Sequence, residues 1–131
     1  MIERLDHLNI RTARLDEMIA WYGRMLDMHP GPRPNFDVGG AWLYAKGHPL
    51  VHLVETTAEP VADASDLKLE HGAFSATGFD AFVQKFRDAG ERTEIIKVPG
   101  FPIVQVNVWD ADGNHLHIDF DAAECGDYGQ D

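Results

Sequence analysis

Seven histidines are the residues of this chain best suited to chemistry at neutral pH. Imidazole titrates near pH 6.5, and its neutral ring is the commonest side-chain metal ligand. Four of the seven stand at matched places. His7 in Leu5-Asp6-His7 is echoed by His71 in Leu69-Glu70-His71, and His52 in Val51-His52-Leu53 by His117 in Leu116-His117-Ile118. Between these points Leu15-Asp16 falls on Phe79-Asp80, Met18-Ile19 on Phe82-Val83 and Tyr22 on Phe86, with a single residue of offset gained along the way. The chain is therefore an internal duplication, and each copy opens and closes on a histidine.

The elements that must position these residues follow from periodicity. Residues 4 to 11 alternate as a half-buried strand, with Leu8 and Ile10 on one face and His7, Asn9 and Arg11 on the other. Leu15, Met18, Ile19, Tyr22 and Leu26 recur at helical spacing from about Leu15 to Asp27. Pro30 to Pro34 breaks regular structure. Short strands are expected over Asn35–Val38 and Ala41–Lys46 with Gly39-Gly40 between them, then a turn at Gly47 to Pro49 and a strand over Leu50–Glu55. Residues 57 to 68 read as a linker. The second copy repeats the plan: a strand over Leu69–Ala76, a helix from Phe79 to Ala89 capped by Gly90, and strands near Thr93–Val98, Ile103–Trp109 and His115–Phe120. The expected domain organisation is thus one domain over 1–131, with modules at about 1–56 and 69–121. The acidic stretch 122–131 is expected to fray.

Strand alternation assigns sides. If Leu8 and Ile10 pack under the first helix, His7 points away from it. The same parity puts His52, His71, His115, His117 and Asp119 on the open face, together with Ser75, Trp42, Tyr44, Gln105, Asn107 and Trp109. Such a face suits a ligand cavity. Two readings of it stay open on residues alone: a metal site built from the four matched imidazoles, or a purely polar pocket. His29, His48 and His115 are read as solvated or hydrogen-bonded side chains.

Composition narrows the partners. The chain has 131 residues, 44% hydrophobic, which suits one compact domain. A net charge of -11, with eleven Lys and Arg, disfavours nucleic acid. No apolar run approaches the length of a membrane span. The single cysteine, Cys125, is expected to be a surface thiol, and a reducing, cytoplasmic setting follows. A small molecule is the expected substrate, and the exposed strand edges point to a homodimer.

With these residues in view, the chain resembles the vicinal oxygen chelate superfamily, which includes glyoxalase I, extradiol dioxygenases, fosfomycin-resistance enzymes and bleomycin-binding proteins. The opening Asp6-His7, the duplication behind it and the Asp110-Ala111-Asp112-Gly113-Asn114 turn leading into the final strand carry the resemblance. It implies an α+β fold of two βαβββ modules whose strands curve into a half-barrel with helices on the outer face. It also implies a divalent metal ion (Zn, Ni, Fe, Mn or Co) on the first and last strands of each module, at His7, His52, His71 and His117. Where that superfamily usually supplies a glutamate on the last strand this chain has His117, so Asp119 is the candidate catalytic carboxylate. Arg11, Trp42, Tyr44, Phe101, Gln105, Asn107 and Trp109 are the candidate substrate-pocket residues. Two functions follow: a metal-dependent lyase, isomerase or ring-cleaving dioxygenase that chelates vicinal oxygens, or a sequestration protein of the bleomycin-resistance type that binds without turnover.

Overall fold

The computed structural model describes residues 1–60 and 67–131. The chain divides into two compact units, Met1–Ala62 and Asp63–Asp131. The first contains β1 (Leu8–Thr12), α1 (Leu15–Leu26), β2 (His29–Pro30), β3 (Gly40–Ala45) and β4 (His48–Glu55). The second contains β5 (Gly72–Ser75), α2 (Phe79–Asp88), β6 (Glu94–Lys97), β7 (Ile103–Trp109) and β8 (His115–Asp121). Each unit is a βαβββ module with one open mixed sheet, ordered β1-β4-β3-β2 in the first and β5-β8-β7-β6 in the second. In both, the opening strand runs parallel to the closing strand and the remaining pairs are antiparallel. That pairing brings the two ends of each copy side by side.

The alternation read from the sequence is the alternation observed. In β7, Val104, Val106 and Val108 are fully buried, and in β8 Leu116, Ile118 and Phe120 are buried beside them. Phe79 and Phe82 of α2 lie against Phe120 with ring centroids 5.5 and 5.4 Å apart. In the first unit Met18, Trp21, Tyr22 and Met25 form the buried stripe of α1, matched by Leu43, Val51 and Leu53 on the strands. Burying a side chain of this size contributes roughly 1.5–3 kcal/mol, so these stripes fix which face each strand turns to its helix.

Several local expectations are corrected. The stretch expected as a strand at Asn35–Val38 has no regular structure; the second strand is His29–Pro30, paired with Tyr44 and Leu43. α1 ends at Asp27 in the left-handed conformation (φ 54°), and this turns the chain directly into that short pairing. The hairpin between β3 and β4 turns on Lys46-Gly47, both at positive φ, not on Gly47–Pro49, so His48 opens a strand instead of lying in a turn. The ladder shifts register between Leu43 and Tyr44, which pair with Val51 and Pro49 respectively. A bulge of this kind tolerates a proline that has no N–H to donate. The opening strand begins at Leu8 and not before it, and β5 is likewise shorter than its expected range.

The C-terminal stretch is also ordered. Ala122–Glu124 and Gly126–Gly129 form short 3-10 turns, and Glu124 Oε1 accepts from the N–H of Phe79 at the start of α2 (3.0 Å). Cys125, expected at the surface, is buried with its thiol donating to the Asp121 carbonyl. Burial, followed by the Glu124 and Asp121 charges, pushes that thiol above its ordinary pKa. The central part of the expected linker, residues 61–66, lies outside the described residues. No helix among the described residues is long and apolar enough to cross a membrane.

The Asp110–Asn114 turn sets the start of β8. Buried Asp110 accepts from the Asp112 and Asn114 N–H groups, both at 2.9 Å, and from the Asn114 side chain, while Gly113 sits at φ 83°. Asp110→Ala should remove these acceptors at once and cost about 2–3 kcal/mol in denaturant unfolding. Gly113→Ala should cost about 1–2 kcal/mol through left-handed strain, with no clash to add to it.

Candidate metal centre

The parallel pairing of β1 with β4 sets Asn9 beside His52, and that of β5 with β8 sets Ala73 beside His117. Two residues earlier on each opening segment stand His7 and His71, on the same side as these partners. The result is the same contact twice. His7 stacks on His52 with ring centroids 3.7 Å apart and 10° between planes, and His71 stacks on His117 at 3.7 Å and 14°. The echo in sequence extends to the residue before each opening histidine: Nδ1 of His7 donates to Asp6 (2.7 Å) and Nδ1 of His71 donates to Glu70 (2.5 Å). These hydrogen bonds hold both carboxyls below their ordinary pKa. A carboxylate on one ring nitrogen fixes the tautomer and leaves Nε2 free as a ligand.

The two copies then differ. Across β3, Trp42 pairs with His52 and covers the other face of its ring at 4.0 Å and 13°. The position facing His117 across β7 is Asn107. Beside His117, where the first copy has Leu50, stands His115. Its Nδ1 lies 2.9 Å from the second oxygen of Glu70 and its Nε2 lies 2.8 Å from Asn107 Oδ1. Asn107 Nδ2 donates to the Glu94 carbonyl (3.0 Å), which fixes the direction of its amide. Ligand atoms of His71, His115 and His117 all lie within 4.8 Å of one another.

Electrostatics follows burial. His52 and His117 are both held below the ordinary imidazole pKa, first by burial and then by the neighbouring histidines. The Asp119 carboxyl is raised, because burial outweighs the attraction of His117 and His71. His117 Nδ1 and Asp119 Oδ1 are buried and have no hydrogen-bond partner among the described residues. An orphaned imidazole nitrogen beside two further imidazoles fits a divalent ion of borderline softness, which a neutral ring can bind by its lone pair.

The remaining candidates separate by unit. In the first, Trp42 is half-buried in the stack, Arg11 is exposed on β1, and the Tyr44 hydroxyl is tied to the Pro32 carbonyl at 2.5 Å. In the second, Gln105 lies opposite Asp119, Phe101 is 62% exposed in the segment before β7, and Trp109 has Arg92 over its ring (3.6 Å to the centroid) and stacks with His115 (5.1 Å, 12°). Asn107 is buried and hydrogen-bonded to the Glu94 carbonyl and to His115. His115, read from the sequence as a solvated or hydrogen-bonded side chain on the face of His117, is hydrogen-bonded to Glu70 and Asn107, and Leu50 offers it no echo in the first copy. The bridging role of Glu70 had no signal beyond its adjacency to His71.

No protein-family model matches the sequence, and no curated protein matches it. Solved structures do. A glyoxylase/bleomycin resistance protein/dioxygenase domain from Frankia sp. EAN1pec superposes with a TM-score of 0.76 at 21% identity, over 92% of this chain and 93% of that one. A glyoxalase family protein from Enterococcus faecalis gives 0.69 at 16% identity, over 89% and 97%. A fosfomycin resistance protein from Listeria monocytogenes gives 0.68 at 11% identity, over 92% and 94%. The paired βαβββ modules and these superpositions agree: the chain has the fold of the vicinal oxygen chelate superfamily.

Proposed function

We propose that the chain is a metal-dependent enzyme of the glyoxalase/dioxygenase type, acting on a small substrate with two adjacent oxygens. The observation that carries this reading is that each unit stacks two imidazoles on the polar side of its own sheet, with a carboxylate on the opening ring of each pair. A divalent ion bound there supplies Lewis acidity toward the vicinal oxygens. The chain's own residues do the rest. Asp6 and Glu70 orient the opening histidines, and Asp119, two residues beyond His117 on the same face of β8, is the candidate group for moving a proton to or from the substrate. Trp42 and Trp109 offer half-buried aromatic surface in their respective units. The reading extends to a homodimer, as the resemblance implies, in the reducing, cytoplasmic setting expected from the single cysteine.

Sequestration without turnover is the competing reading, and matched imidazoles give it no support, because binding an aromatic molecule does not require them. The two separate in one titration. With cobalt(II) as the spectroscopic probe, a catechol should alter the visible absorption of the loaded protein and a monophenol should not. Equal binding of both ligands with and without metal would favour sequestration.

Two further outcomes are expected. His71→Ala should weaken metal binding steeply in calorimetry, whereas His48→Ala, an exposed residue at the start of β4, should leave it unchanged. Metal affinity should also depend on pH with a definite sign. Ligands must be neutral, so protons compete as pH falls; because His52 and His117 are held below 6.5, those rings stay neutral further down than free imidazole does. Retention of the ion should therefore extend below pH 6.5 before it is lost, as followed by metal release across a pH series. Loss of the ion already above pH 7 would contradict this.

A further inference from the structure

The superfamily resemblance draws ligands from both copies. The two copies are not equivalent, however, and the difference lies in the side chains around each stacked pair. In the first unit His52 is closed in on both faces, by His7 at 3.7 Å and by Trp42 at 4.0 Å, and its Nε2 donates to the Pro49 carbonyl (3.1 Å). The place that would hold a third imidazole is Leu50. In the second unit the corresponding places hold His115 and Asn107, and the indole is absent from the face of His117. His71, His115 and His117 form the one group of three or more potential ligands within reach of a common point among the described residues.

We propose that His71, His115 and His117 bind a divalent ion within the second unit, without ligands from His7 and His52, and that Glu70 is the positioning residue of this site. The inference rests on the metal-dependent reading above and changes its ligand set. Each donor has a stated source. His71 offers Nε2, because Nδ1 is held by Glu70. His117 offers Nδ1, the buried nitrogen with no partner. His115 must release one of its two hydrogen bonds, and the bond from Nε2 to Asn107 is the one to give way, since Glu70 then still holds Nδ1 of both His71 and His115. One carboxylate would thus orient two ligands, one just before β5 and one on β8, and Trp109 stacks with the His115 ring. The soft-to-borderline nitrogen set favours zinc, nickel or cobalt over magnesium or calcium. In the first unit His7 and His52 are left as an imidazole–indole stack.

The test is metal affinity and cobalt(II) absorption of the full chain, measured with zinc(II) and cobalt(II) on metal-free protein. His7→Ala should bind one equivalent with affinity close to that of the unaltered chain. His115→Gln, which keeps a polar end for Glu70 and Asn107, should lose far more than the roughly 10–100-fold that changes behind the ligands cost. Glu70→Gln should weaken binding roughly 10–100-fold and shift the cobalt bands, while thermal unfolding of the metal-free protein stays unchanged because Glu70 is exposed. If His7→Ala lost the ion and His115→Gln kept it, the second-unit site would be overturned and the metal-dependent reading would stand with the other ligand set. If the unaltered chain bound neither ion, both would fall. Unchanged affinity and unchanged bands in Glu70→Gln would remove Glu70 from its role.

Discussion

Two imidazole rings lying face to face at 3.7 Å constrain everything around them. Were both rings protonated, two unit charges at that distance would repel by about 4 kcal/mol at an effective dielectric of about 20. The stack therefore needs at least one neutral ring, and burial supplies it by holding His52 and His117 below the ordinary value. The neutral form is also the form that binds metal. The carboxylates at Asp6 and Glu70 complete the arrangement by accepting from the opening ring, so each pair carries its own compensating charge. The rest of each unit reads as the means of holding one strand parallel to another so that the first and last residues of a copy meet.

The duplication explains why this contact occurs twice, and divergence explains why the two occurrences are not alike. A tryptophan opposite His52 and a leucine at position 50 turn the first pair into an apolar-backed stack. An asparagine opposite His117 and a histidine at 115 turn the second into a polar cluster with two orphaned buried atoms. Leaving such atoms unpaired costs about 1–3 kcal/mol each, so a ligand on the open face of β8 would gain by pairing them.

Much of this was legible in the sequence because it depends on period and parity. The echo of Leu5-Asp6-His7 by Leu69-Glu70-His71, the alternation of β7 and β8, and both helices are local patterns that burial enforces. The failures are as physical. His29–Pro30 is too short to alternate, so its pairing depends on the turn at Asp27 and on Tyr44 across the sheet. Cys125 and the acidic tail read as polar and frayed, yet the tail is tied down by Glu124 on the start of α2 and by Lys97 on Asp131, partners distant in sequence. His115 has no counterpart in the first copy, where Leu50 stands, so the repeat alone could not single it out, although its parity with His117 is plain in the sequence. Glu70 gains its role from a bridge spanning forty-five residues, which adjacency to His71 could not reveal.

A divalent ion at these imidazoles is tested most directly by elemental analysis with inductively coupled plasma mass spectrometry. Protein purified without an affinity tag or chelator, and then dialysed, should carry or readily take up about one equivalent of a divalent transition metal per chain, as a cluster of three imidazoles implies. Protein that arrives free of metal and takes up none on exposure to zinc, nickel or cobalt would contradict it.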